Sequence, residues 1–498
     1  MVGLLTEPYL LKPTATSLQV AWVTARPGDQ HWVDWGSQGR TAASSRPILG
    51  LRSQTGEAVT VWCHQAILSP LVPGKRYPYR VVSCQGSQIA SSGWYECGLP
   101  APGQGLKILL TSDHQLKPMV AACMQKVEET VGRVDGIFFA GDMVNCADRA
   151  WEWFTAPNSF FSCLQGKARY TFAGVEYRGG CLLPYAPILP AMGNHEVVEL
   201  LGKDPWFSAQ VFEGLFAQEQ HYYALSFGDI RLVVLSVANQ WRHPQRGRFQ
   251  EPPENLADPQ RWGGGQRILE AIDRDSTQYG WLQQELQSPA WQQARFRIVM
   301  LHHPIHSLGD NAVPPFTDPI PVIHRDPQGQ VTGVSYRYPP ERDYLQRDLV
   351  PLLEQAGTHL VYCGHCHLWN RFLSPRGVHY LESSNVGNSY GAAWGGPQRY
   401  VPLDYPDPLT IAGDPGGLAP CLPSLAPVYS ANQVPLPYVA SNEITVFTIL
   451  DTATGSVDSY RFHTRQPNSP VILFDRFVIG EPVGTVRLAA PGCAHPPG

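Results

Sequence analysis

The stretch Leu106-Lys107-Ile108-Leu109-Leu110-Thr111-Ser112-Asp113-His114-Gln115 is a short apolar run that ends on an acid and an imidazole. An apolar run of this length bounded by polar residues predicts a buried strand. Pro118 then opens a helix predicted to reach about Val131, because Val120, Met124, Val127 and Val131 recur at three or four residues and form one apolar stripe. The same grammar repeats downstream. Strands are predicted at 137–140, 188–190, 230–236, 297–301, 359–363 and 378–381, with a late strand at 443–450 that pairs with the segment near Tyr460. Strands alternating with helices predict an α/β layered unit.

Four of these later strands also end in metal-ligating types. Gly141-Asp142-Met143-Val144-Asn145 follows one, Gly193-Asn194-His195-Glu196 another, His302-His303-Pro304 a third, and Gly364-His365-Cys366-His367 a fourth. Functional groups of open α/β sheets gather outside the carboxyl ends of the strands. One rim would therefore collect two carboxylates, an amide oxygen and several imidazoles. That mixture of oxygen and nitrogen donors suits zinc, iron or manganese, and it is too rich for one ion. Two adjacent cations can activate a water and clamp the oxygens of an in-line displacement at phosphorus. The expected reaction is attack on a phosphoester by a hydroxide held between them.

Upstream, residues 7–98 read as all-β. Leu18, Val20 and Trp22 share one face at period two, and so do Tyr77, Tyr79 and Val81 after the Leu71-Val72-Pro73-Gly74-Lys75 turn. Pro78 should confine its strand to a sheet edge or mark an irregularity. Short strands between turns predict a sandwich, and residues 99–105 a linker. Two stretches, 240–270 and 384–440, are rich in Pro and Gly and too long for ordinary connections.

Composition narrows the function classes. At 498 residues the chain has room for about two to four domains. Its 43% apolar content excludes a mainly disordered chain. With 37 basic and 42 acidic residues the net charge is −5, which supplies no field for nucleic acid or an anionic membrane. No apolar run is long enough to span a bilayer. The start, Met1-Val2-Gly3-Leu4-Leu5-Thr6-Glu7-Pro8, lacks the basic region of a signal peptide. A cytoplasmic protein is expected, or a secreted or periplasmic one if the true start lies upstream. The eleven cysteines are then expected as thiols, and Cys363 and Cys366, interleaved with the histidines, do not read as a redox pair.

The order Asp113, Gly141-Asp142, Gly193-Asn194-His195-Glu196, His302, Gly364-His365-x-His367 resembles the calcineurin-like metallophosphoesterases, and the N-terminal segment resembles the fibronectin-type-III-like domain of purple acid phosphatases. Gln278-Tyr279-Gly280-Trp281-Leu282 is also similar to a segment of those enzymes. The resemblance implies a layered β-sandwich flanked by helices over 106–383, closed by strands at 441–475, with 384–440 inserted. It implies a phosphatase acting on a small phosphoester, most readily a phosphomonoester. Asp113 and His367 would hold a first metal, Asp142 would bridge, and Asn194, His302 and His365 would hold a second; each ion is iron, manganese or zinc. His195 would face the substrate as stabiliser or proton donor, oriented by Glu196. Arg149 and His303 are candidate substrate contacts, with a surface ion pair the alternative for Arg149. Trp369 is a core residue or a stacking platform.

Two departures stand out. The superfamily's usual His two places after the first Asp is here Gln115. The metal-bound Tyr that purple acid phosphatases carry three places after the bridging Asp is here Asn145. Either amide could offer an oxygen to the first metal or support it, and without a phenolate the purple colour should be absent. The same centre would also serve a phosphodiesterase or nucleotide hydrolase. A degenerate, non-catalytic metal- or phosphate-binding protein is the reading from outside enzymes.

Overall fold

The computed structural model describes residues 3–37, 39–199, 207–242, 265–312, 316–317, 320–387, 389–395, 413–466 and 468–480. Most of the 240–270 stretch and residues 396–412 of the second Pro/Gly-rich stretch lie outside them.

The N-terminal part is two β-sheets. One orders Tyr9–Leu11, Leu18–Thr24, Ala58–Leu68 and Ser44–Arg52; the other runs Gly39–Ala42, Gln30–Trp35, Arg76–Gln85, Gln88–Ser91, with Tyr95–Gly98 also on Arg76–Gln85. Leu18, Val20 and Trp22 meet Val33, Trp35, Tyr77, Tyr79 and Val81 between them, as the alternation predicts. The opposite face of the first sheet is buried as well. Tyr9, Leu11, Ala21, Val23, Ile48 and Val61 pack in one cluster with Trp153, Phe161, Phe212 and Phe216. Each such side chain contributes roughly 1.5–3 kcal/mol by leaving water. The Tyr9 hydroxyl donates to the Leu215 carbonyl (2.8 Å) and Tyr79 to Pro184 (2.6 Å), so the hydroxyls that this docking buries remain bonded.

Pro78 does not place its strand at an edge, because Arg76–Gln85 has neighbours on both sides. The ladder with Gln30–Trp35 ends at the Trp35–Tyr79 pair, and the Pro78 carbonyl accepts from Gly36 in the turn beyond it. The missing N–H thus falls where that neighbour has already turned away.

The rest of the chain forms two larger sheets face to face. The six-stranded sheet orders Ile188–Pro190, Gly136–Phe139, Lys107–Thr111, Ile444–Asp451, Ser456–His463 and Ile472–Val478. The seven-stranded sheet orders Tyr223–Phe227, Ile230–Val234, Phe296–Met300, Leu360–Cys363, His379–Ser383, Trp369–Leu373 and Tyr438–Val439. Lys107–Thr111, Gly136–Phe139 and Ile188–Pro190 run parallel, as do Ile230–Val234, Phe296–Met300, Leu360–Cys363 and His379–Ser383. Ile108, Leu110 and Phe138 meet Leu232, Ile298, Met300, Leu360 and Tyr362 between the sheets. The helix Val120–Val131 covers the outer face of the first, burying Val120, Met124 and Val127. Thr277–Leu286 and Val350–Gln355 cover the second through Leu282, Leu286 and Leu353. The order of layers is helix, sheet, sheet, helix. Pro118 lies in the turn before the first helix rather than in it. The end of the 384–440 stretch joins the second sheet, since Tyr438–Val439 pairs with Trp369–Leu373.

Candidate metal centre

The parallel strands of both sheets deliver their carboxyl ends to one place. Lys107–Thr111 leads into Asp113, Gly136–Phe139 into Asp142 and Ile188–Pro190 into Asn194 and His195; from the other sheet come His302, His365 and His367. Several of these residues sit in the left-handed region of backbone space: Asp113 (φ 56°), Asp142 (φ 58°), His365 (φ 82°) and His367 (φ 58°), with Gln115 (φ 42°) beside them. Residues with a Cβ held there cost about 1–3 kcal/mol each and cluster at functional sites. A Cβ on Gly364 would overlap Asp113 Oδ2 and lie 2.7 Å from Ser112 Oγ, so the turn carrying His365 and His367 closes on Asp113 only with glycine there.

The side chains of the six expected ligands meet through short contacts. His302 Nδ1 donates to the Ala140 carbonyl (2.7 Å), which turns Nε2 toward Asn194 Oδ1 (3.0 Å) and Asp142 Oδ2 (3.3 Å). His367 Nε2 lies 3.3 Å from Asp113 Oδ1, and the His365 amide donates to Asp113 Oδ2 (3.0 Å). One ligand atom each of Asp113, Asp142 and His302 lies within 4.8 Å of the others, and the same holds for His302, His303 and His365.

Electrostatics shows what the cluster demands. Burial opposes a charge on His302, yet Asp142 and Asp113 outweigh it and raise the imidazole to about 10. Burial pushes Asp113 up, and His367 outweighs it, bringing the carboxyl down to about 2. Buried carboxylates that hold their charge so firmly require positive charge beside them. His365 is brought down to about 3 by burial and then by His302, so its ring is neutral, the form in which an imidazole can accept a metal; its Nδ1 has no hydrogen-bond partner among the described residues. The donor set thus fits borderline divalent cations.

His195 stands at the rim with its side chain 35% exposed. Its Nδ1 donates to the Asn145 carbonyl (2.6 Å), leaving Nε2 3.8 Å from Asp142 Oδ2. Glu196 does not orient it. The Glu196 carboxylate turns beneath the site and accepts from the backbone of Asp142 (2.7 Å), Gly193 (2.8 Å) and Met143 (2.7 Å). Its role is to hold the Asp142 turn, and the partner of His195 is a carbonyl that no side-chain pattern announces. Arg149 makes the expected ion pair, with Glu152 (2.9 Å). The Gln115 amide donates to Asp142 Oδ2 (2.9 Å), and Asn145 meets His195 through its backbone. His114 turns away to Thr111 (3.0 Å) and packs on Phe139, and Trp369 is core against Phe474.

Three further residues complete the surroundings without a sequence signal. Lys117 Nζ donates to the Asp113 carbonyl (2.9 Å); burial lowers the ammonium to about 8, although Asp113 and Asp142 oppose the shift. Glu382 accepts from the Cys366 amide (2.7 Å) and from Ser307 (2.8 Å), fixing the turn between His365 and His367; burial raises its carboxyl to about 8. Tyr390, 56% exposed, stacks on the His367 ring at 4.7 Å.

A two-sheet scaffold with an Asp/Asn/His cluster at its strand ends defines a metal-dependent hydrolase. The family model of the calcineurin-like phosphoesterases matches residues 106–368, more than half of the chain, and that of the purple acid phosphatase N-terminal domain matches residues 9–97. The chain belongs to the calcineurin-like phosphoesterase family, whose members use a dinuclear metal centre to hydrolyse phosphoesters. No curated protein matches the sequence. Among solved structures the chain is similar to one titled "Structure of PhoD", with TM-score 0.51 and 12% identity over 94% of this chain and 88% of that one, a likeness of fold alone. "GAP50 the anchor in the inner membrane complex of Plasmodium" overlaps at TM-score 0.35 and 12% identity over 74% and 89%, too loosely to carry an argument. No two of the ten cysteines among the described residues are joined in a disulfide, and no described helix is long and apolar enough to cross a membrane.

Proposed function

We propose that the chain hydrolyses small phosphomonoesters at the strand-end cluster, with Asp113 and His367 holding one cation, Asn194, His302 and His365 a second, and Asp142 shared. The observation that carries this reading is the approach of His302 Nε2, from one sheet, to Asp142 (3.3 Å) and Asn194 (3.0 Å) from the other, beside the Asp113–His367 pair. Such ions, when bound, activate water and neutralise phosphate oxygens. The chain's own residues then set the geometry. The Asn145 carbonyl holds the proton of His195 on Nδ1, which turns Nε2 toward Asp142, where, as imidazolium, it gives a proton to the leaving oxygen. Glu196 keeps Asp142 fixed through three backbone bonds, so little reorganisation accompanies the reaction. In this reading residues 106–383 and 441–475 carry the chemistry, and residues 7–98 form a sandwich docked on them.

The test compares the purified chain on an aryl phosphomonoester and the corresponding diester, with metal content measured on the same sample. Faster monoester turnover is the expected result. Faster diester turnover would move the assignment to a phosphodiesterase. At most one metal per chain with no turnover of either substrate would make it a binding protein.

A further inference from the structure

His303 lies directly after the His302 ligand and is 6% exposed. Neither of its ring nitrogens has a hydrogen-bond partner among the described residues. Each buried polar atom left so costs about 1–3 kcal/mol and calls for an explanation. The neighbouring histidines each anchor one ring nitrogen: the expected ligand His302 holds the Ala140 carbonyl through Nδ1 (2.7 Å), and His306 Nδ1 holds Asp414 at 2.7 Å. His303 has no such anchor on its ring, although its backbone is fixed by the bond from its N–H to the Val237 carbonyl (3.0 Å). The ring stacks on His365 at 3.7 Å and 26°, and stands edge-on to His302 at 5.2 Å. A nitrogen of His303 lies within 4.8 Å of a nitrogen of each of those two expected ligands.

We propose that His303 is a third imidazole ligand at the second metal position, beside His302 and His365, and not a substrate contact. The proposal rests on the dinuclear reading above and extends it. A position with three imidazole nitrogen donors discriminates among cations. It favours Zn²⁺ or Fe²⁺ over Mn²⁺, and disfavours Mg²⁺ and Ca²⁺, which prefer all-oxygen surroundings.

The experiment uses the full chain stripped by a chelator and titrated separately with Zn²⁺ and Mn²⁺ against a chromophoric competitor, as wild type, His303→Ala and His303→Gln. Melting curves establish that each variant is folded, and the Gln variant keeps the bulk if the Ala variant is not. The expected result is that one of two Zn²⁺ equivalents weakens by about tenfold or more, the other stays within twofold, and the Zn²⁺-over-Mn²⁺ preference at the affected site shrinks by a similar factor. Free imidazole should restore part of the Zn²⁺ affinity in the Ala variant. Unchanged affinity at both equivalents in a folded variant overturns the proposal and returns His303 to the core. Failure of the wild type to hold two Zn²⁺ overturns the dinuclear reading itself, a result visible before any variant is made.

Discussion

A Cβ built on Gly193 would overlap Asp142 Oδ1 and lie 2.5 Å from the Asp142 backbone nitrogen, so the expected bridging carboxylate occupies the space that a side chain at Gly193 would need. Gly193→Ala should therefore push Asp142 out of register while leaving the two-sheet core intact. A misplacement of about 1 Å at a reacting centre costs on the order of 10²-fold. Activity should fall at least that far, with metal content reduced and the melting temperature lowered, since the Cβ also meets backbone, while unfolding stays cooperative. Full activity in the variant would mean that Asp142 is not where the chemistry happens.

His195→Gln should lower kcat by roughly 10²–10⁴-fold on an alkyl phosphate, whose leaving oxygen needs a proton. The loss should be much smaller on a nitrophenyl phosphate, whose leaving group departs without one, and metal stoichiometry should not change. Equal losses on the two substrates would remove the proton-donor role.

Glu196→Gln replaces one acceptor oxygen by an N–H₂ group facing backbone N–H donors. Burial and then Asp142 raise the Glu196 carboxyl to about 7, and leaving a buried donor unsatisfied costs about 1–3 kcal/mol. The variant should melt measurably lower, and its activity should fall equally on an alkyl and a nitrophenyl phosphate, because the carboxylate is bonded to backbone and not to His195. A larger loss on the alkyl phosphate would restore the orienting role expected from the sequence.

His64 supplies a pH test away from the metals. Its ring is buried between Thr24 Oγ1 (2.8 Å) and Ser45 Oγ (2.8 Å) and stacked on His31 at 3.6 Å. Burial, then His31, lowers it to about 3. The unfolded ring takes up a proton near pH 6.5 that the folded ring refuses. Its stabilising effect is therefore complete above about pH 6.5 and declines as the pH falls from there toward 3. At pH 5 the loss is roughly 2 kcal/mol. Between pH 7.5 and 5, wild type should lose about that much more stability than His64→Gln in chemical denaturation. Equal losses would contradict the assignment.

The residues that cluster at the strand ends were legible because each closely follows an apolar run, so a strand and its terminal donor can be read together. Asp113, Asp142, Asn194, His302, His365 and His367 needed only that pattern and the rule that strand ends gather. The supports were not legible. Sequence spacing puts Glu196 next to His195, but the Gly193 turn sends its carboxylate under Asp142, and only backbone geometry reveals this. Lys117, Glu382 and Tyr390 reach the site as isolated side chains with no repeat or motif around them. Both faces of the first N-terminal sheet are buried, so Ala21 and Val23 look like an unremarkable continuation of their strand until the second core is seen beside them.

The most direct test of the central claim is a paired measurement of bound metal and phosphoester turnover on purified wild type and Asp142→Asn. The account predicts near two metals per chain with hydrolysis in wild type, and loss of turnover with reduced metal in a variant that still melts cooperatively. Wild-type turnover in Asp142→Asn would contradict it.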